Sequence, residues 1–209
     1  MELYVQDRLT MTLDINELDL STIDLSPRSS EANGHFVELY EDDSFLVDSV
    51  ARFMSLALRE GDAAVAVADR AHRELFDDAL RAQGIDVDAA MEHGTFVSLD
   101  ADEMLARFME GAMPDAEKFD RILGEVIASA AAGERKVRVF GEMVAVLWTR
   151  GNVPGALRVE DLWNDLAENH HFDLFCAYPL SAFGEENLAP LRAVCHRHSH
   201  VITAGAKSA

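Results

Sequence analysis

The run Ala63-Ala64-Val65-Ala66-Val67-Ala68 constrains this chain more than any other stretch. It is short and wholly apolar, and it shows no alternation. A strand of that kind is covered on both faces, as in a parallel sheet lying between two layers of helices. Its flanks agree with that reading. Gly61 closes a helix before the run, and Asp69 can cap a helix after it, which ends near Gly84.

The same alternation extends along the chain. A strand from His35 to Tyr40, expected at the sheet centre, leads into a helix from Ser44 to Arg59. Phe45, Leu46, Val50, Phe53, Met54, Ala57 and Leu58 form its apolar face at the helical period. Thr95 to Leu99 reads as the third strand, followed by a helix from Asp102 to Glu110. Pro114 opens a longer helix to Ala132, closed by Gly133. The fourth strand is Val137 to Phe140, with a helix through Trp148 and another opened by Pro154. Phe172 to Tyr178 is the fifth strand, and Pro179 halts it. A helix over 186–196 leads to a sixth strand at Val201-Ile202-Thr203. Repeated strand–helix units predict an α/β three-layer domain with a mostly parallel central sheet. At 209 residues the chain fits one such domain over 34–209. Residues 1–33, with short alternations (Leu13, Ile15; Leu18, Leu20; Ile23, Leu25) and a Ser-Pro joint, read as a partly extended N-terminal arm.

Charge narrows the function. Lys plus Arg number 18 against 38 Asp plus Glu, a formal net charge of -20. Such a surface repels phosphate backbones and anionic lipid, so neither nucleic acid nor a membrane is expected as a direct partner. No apolar run approaches the roughly 18–20 residues of a membrane span. Cys176 and Cys195 are too few for a disulfide framework and show no metal-type spacing, which fits a reducing cytoplasm.

Ligands of open parallel sheets bind beyond the carboxyl ends of the strands. The residues falling there are Tyr40-Glu41-Asp42-Asp43, Asp69, Asp100, Gly141-Glu142 and Tyr178-Pro179. The first of these turns has the strand–turn–helix layout of a phosphate loop, but it lacks the glycines and the lysine. Placing its carboxylates against phosphates costs on the order of 4 kcal/mol per like-charged pair at intermediate dielectric. ATP hydrolysis is therefore disfavoured, and no catalytic residue, metal ligand or cofactor is assigned. Asp42, Asp43 and Ser44 read more simply as a helix cap. The histidines of His196-Arg197-His198-Ser199-His200 straddle a helix end, where they complement the helix dipole; an extended or helical arrangement could instead align them on a metal. No Gly-x-Ser-x-Gly motif occurs, and neither cysteine precedes a helix start that would activate it. Trp148 and Trp163 lie on helical apolar faces, where core packing is the first reading, although Glu142, Met143, Trp148 and Tyr178 could share a mixed pocket.

An ordered set of segments resembles the MEDS domain, the methanogen/methylotroph sensory domain of DcmR type. It comprises Gly34-His35 through Tyr40-Glu41, Phe45 through Gly61-Asp62-Ala63-Ala64-Val65, Gly84-Ile85-Asp86, Phe140-Gly141-Glu142-Met143 with Leu147-Trp148, Glu160-Asp161-Leu162-Trp163-Asn164, Cys176-Ala177-Tyr178-Pro179-Leu180, and Cys195 with His198-Ser199. The resemblance covers roughly residues 34–203. It implies a RecA/KaiC-like α/β fold with a degenerate P-loop, and a role as a signal-transduction input module that senses a small molecule. The partner implied is a regulatory protein, namely a histidine kinase, an anti-sigma factor or a transcription regulator; apart from the resemblance, a homo-oligomer is expected. No catalytic residue transfers from the family. The expected ligand-binding residues are His35, Tyr40, Glu41, Glu142, Trp148 and Tyr178. Two other readings stand beside it. One is a pure interaction module using the N-terminal arm, and the other is a residual nucleotide-dependent ATPase with Glu142 as base or magnesium ligand.

Overall fold

All six positions of Ala63–Ala68 are inaccessible to solvent, as the sequence demands of a doubly covered strand. The computed structural model describes residues 34–183 and 188–203. The expected arm over 1–33 and the start of the last helix at 186–187 lie outside these residues. In chain order the elements are β1 (His35–Tyr40), α1 (Asp43–Glu60), β2 (Ala63–Ala68), α2 (Arg70–Ala82), α3 (Val87–Glu92), β3 (Phe96–Asp100) and α4 (Ala101–Phe108). A short hairpin of β4 (Met109–Glu110) and β5 (Met113–Pro114) follows. Then come α5 (Ala116–Ala130), β6 (Val137–Gly141), α6 (Met143–Thr149), α7 (Val153–Ala167), β7 (Phe172–Pro179), α8 (Leu188–Cys195) and β8 (His200–Thr203).

Six strands form one sheet in the order β3-β2-β6-β7-β1-β8, and every pairing in it is parallel. The expected three-layer α/β fold is present, and its main sheet is wholly rather than mostly parallel. Strand parity divides the core. Tyr40, Ala64, Ala66, Ala68, Phe140, Phe175 and Ala177 face a layer carrying Leu46, Val50 and Met54 of α1, Phe76 and Leu80 of α2 and Val87 of α3. Val37, Leu39, Val65, Val67, Val139, Leu174, Cys176 and Tyr178 face the opposite layer, built from α4, α5, α6, α7 and α8.

Helix ends follow local chemistry. The Asp42 carboxylate accepts from the Ser44 N–H at 2.7 Å and caps α1. Gly61 ends that helix at a φ of +82°, a left-handed conformation costly to any residue with a Cβ. Asp69 caps α2 through the His72 N–H, as expected. Asp115, not Pro114, starts α5; Pro114 sits in the hairpin, and α3 and that hairpin were not foreseen.

Two expectations require correction. Phe45, placed on the buried face of α1, is 56% exposed, and Ala51 and Ser55 are buried instead. The apolar arc is rotated because α1 packs against both the sheet and its layer neighbour α2; the Ser55 hydroxyl donates to Gln83, just past α2, at 2.6 Å. β1 is also not central: β6 and β7 hold the middle, and β1 is one strand from the edge.

Candidate functional site

Because the sheet is parallel, Tyr40, Ala68, Asp100, Gly141, Pro179 and Thr203 all end at one edge. β2 and β6 are neighbours, yet the chain leaves them in opposite directions. After β2 it enters α2, whose Phe76 and Leu80 pack with α1, whereas after β6 it enters α6, whose Val144 and Leu147 join the other layer. Divergence of this kind marks the crevice position beyond the strand ends at which α/β sheets bind ligands.

Glu142 and the α2 terminus meet in that crevice. Glu142 donates its backbone N–H to Val67 O at 2.8 Å, which fixes the loop against β2. Its carboxylate then spans two donors: Oε2 accepts from the Asp69 N–H at 2.8 Å, and Oε1 lies 2.5 Å from His72 Nδ1. The other ring nitrogen, Nε2, points towards Asp43 Oδ1 at 3.7 Å. The Glu142 hydrogen bond, helped by the charges of Glu142, Asp69 and Asp43, outweighs burial and raises the His72 pKa to about 9. His72 is therefore an imidazolium at neutral pH, stacked on Phe76 with ring centroids 5.8 Å apart. Burial first, then the carboxylates of Glu142, Asp43, Asp69 and Glu38, push the Tyr40 hydroxyl upwards and keep it protonated. Further along β1, the buried Glu38 accepts from Ser49 Oγ at 3.0 Å, and burial pushes its pKa up to about 7.

Asp42 occupies the N-terminus of α1 with its own carboxylate, and Glu41, Asp42 and Asp43 are exposed beside it.

The other expected residues lie elsewhere. His35 starts β1, at the amino end of the sheet, and its register partner on β7 is Leu174. Tyr178 is on β7, but strand parity turns it to the α7 layer, where its hydroxyl donates to Glu160 Oε1 at 2.7 Å. Trp148 is buried and donates Nε1–H to Ala182 O at 3.2 Å, and its ring meets Tyr178 edge to face at 5.4 Å. Glu41 is exposed and belongs to neither grouping. Of the six residues, the structure places Tyr40 and Glu142 together at the crevice and His35 and Tyr178 together under the opposite face.

His35 and Tyr178 belong to a second grouping, which is wholly internal. Glu160 of α7 is completely buried, and around it stand His35, Cys176 of β7 and His198, which follows α8. Glu160 Oε2 lies 3.3 Å from His35 Nε2, 3.4 Å from His198 Nε2 and 3.6 Å from Cys176 Sγ. Burial lowers the His35 pKa, and the nearby His198 lowers it further. For Glu160, burial acts upwards, but His198 and His35 outweigh it and hold the carboxyl below its usual range. Burial and then Glu160 push the Cys176 thiol and the Tyr178 hydroxyl well up. His196 is exposed, and His200 stacks on Phe36 at 4.9 Å, so the tail histidines disperse rather than align.

Glu160, His72 and Cys176 were not singled out as site residues. A signal existed for Glu160: it falls on the apolar face of α7 with Ala156, Val159, Trp163 and Leu166, where a charge needs partners. His72 and Cys176 carry no comparable mark.

A family model described as MEDS, the MEthanogen/methylotroph, DcmR Sensory domain, matches residues 34–197. No curated protein matches the chain.

Proposed function

The chain belongs to the MEDS family of sensory domains, and from that premise we propose that it is a non-catalytic signal-transduction module whose ligand enters the crevice between the ends of β2 and β6. The carrying observation is the His72–Glu142–Asp69 grouping at the point where the chain diverges from adjacent strands. One imidazolium is enclosed by carboxylates there, with the Tyr40 hydroxyl nearby. This charge pattern favours a small neutral or cationic molecule bearing hydrogen-bond donors, and it disfavours di- and triphosphates. A capped, acidic α1 terminus supports the same exclusion and argues against ATP turnover.

Binding would be passed on through α1 and α2, whose first turns meet at Asp43 and His72. Phe45 and Leu56, on one face of α1, and Leu75 on α2 are exposed and could carry the contact with a regulatory protein or a second copy. Thermal-shift screening and native mass spectrometry against a metabolite panel test this reading, with magnesium-ATP as the contrasting arm. Wild type is expected to be stabilised by a non-phosphate metabolite, with the shift lost in Glu142→Gln. Stabilisation by magnesium-ATP, accompanied by hydrolysis that Glu142→Gln abolishes, would overturn it.

A further inference from the structure

We infer that His35, Glu160, Cys176 and His198 form a tetrahedral site for a zinc-class transition-metal ion. The inference is independent of the crevice reading, because the two groupings share no residue.

The argument starts from the tautomers. The Asn164 amide donates through Nδ2 to Arg197 O at 3.3 Å, so its Oδ1 faces His35 Nδ1 at 3.0 Å. His198 Nδ1 lies 2.7 Å from Val194 O. Both outer neighbours are carbonyl oxygens, which only accept, so both histidines must donate from Nδ1. Both Nε2 atoms therefore turn inwards, towards Glu160 Oε2 and Cys176 Sγ. His198 Nε2 is buried and has no hydrogen-bond partner, and its side chain is 0% exposed.

Without a metal ion the centre is satisfied only if one imidazole is protonated towards Glu160 while the Cys176 thiol donates to the other Nε2. Two neutral imidazoles would aim lone pairs at a carboxylate oxygen, and two imidazolium rings would lie in the protein interior with centroids 4.0 Å apart. A divalent ion takes the place of that single proton. It accepts both Nε2 lone pairs, Glu160 Oε2 and the Cys176 sulfur. On binding, the imidazolium proton and the thiol proton are released to solvent, and the two anionic ligands balance the metal charge.

The spacing fits. Zinc bonds of about 2.0–2.1 Å to N and O and about 2.3 Å to S, at tetrahedral angles, set N–O separations near 3.3 Å and S–N or S–O separations near 3.6 Å. The observed separations are 3.3 and 3.4 Å from Oε2 to the two nitrogens, and 3.6 and 3.5 Å from Sγ to Oε2 and His35 Nε2. The outer hydrogen bonds resemble those that orient metal ligands: Asn164 on His35, Val194 O on His198, and Tyr178 on the far oxygen of Glu160.

Untagged protein, unfolded in chelator and refolded with zinc or cobalt(II), provides the test. The expected result is one ion per chain. The cobalt form should show tetrahedral d–d absorption and a thiolate charge-transfer band, and Cys176→Ser should lose that band. Asn164→Ala keeps all four ligands and should weaken metal affinity roughly 10–100-fold. Wild type that refolds to its native circular dichroism spectrum yet holds well under one ion per chain would overturn the inference. So would a bound metal whose spectrum and affinity are unchanged by Cys176→Ser and Asn164→Ala.

Discussion

Two histidine–glutamate groupings sit on opposite sides of one sheet, and their surroundings drive the histidines in opposite directions. At the crevice, His72 has one carboxylate in direct contact and two more nearby, so its proton is held up to about pH 9. In the interior, His35 also faces a carboxylate, but burial and a second imidazole depress it. The same two residue types thus give a charged group among carboxylates in one place and a set of inward-facing donors in the other. The neighbouring imidazoles and carboxylates, not the His–Glu pairing itself, set the chemistry.

Substituting the glutamate in each region should break the comparison most sharply. Glu160→Ala leaves the buried Tyr178 hydroxyl and two imidazoles without their common partner, and should cost about 3–5 kcal/mol in urea unfolding. Glu142→Gln keeps an amide that can still bond the Asp69 N–H, and should cost about 1.5–3 kcal/mol at neutral pH. Equal losses at the two sites would show that the second imidazole and the tyrosine hydroxyl on Glu160 do not matter.

The pH dependence sharpens the contrast. His72 has a raised folded-state pKa, so its stabilisation is full below the ordinary value of 6.5 and is lost as pH rises through about 9. Unfolding free energy should fall across that window by about 1–3 kcal/mol, and the fall should vanish in Glu142→Gln. Glu38 works in the same direction at lower pH. Its raised pKa means that the folded state resists ionisation, so a penalty grows from about pH 4.5 and is complete above about 7. Glu38→Gln should therefore stabilise the protein by about 1 kcal/mol at pH 8 and not at pH 4.

Much of the fold could be read from the sequence because it depends on local rules. The Ala63–Ala68 run, the Asp69 cap and the Gly61 stop are each decided within a few residues, and each stands where expected. Strand order and helix rotation depend on contacts between distant segments. That is why β1 was misplaced at the centre and Phe45 was assigned to the core. The site divides for a related reason. Tyr40 ends β1, but Tyr178 stands one residue before the end of β7, in register with Leu39, so opposite parity sends one ring to the α1 layer and the other to the α7 layer. The internal grouping joins His35 to Glu160 and His198 across most of the chain, and no spacing rule reaches that far. Phe45 supplies the smallest predicted effect: Phe45→Ser should change stability by less than about 0.5 kcal/mol. Met54→Ala, on the buried face of the same helix, should cost about 2–5 kcal/mol.

The most direct test of the crevice is an NMR titration of the imidazole carbons and nitrogens across the histidines, with His72 assigned by comparison with Glu142→Gln. The account predicts that His72 titrates at about 9 in wild type and moves towards 6.5 in the variant, because the Glu142 carboxylate holds its proton. A wild-type His72 that already titrates near 6.5, unchanged by Glu142→Gln, would contradict the account of a charged, carboxylate-locked crevice.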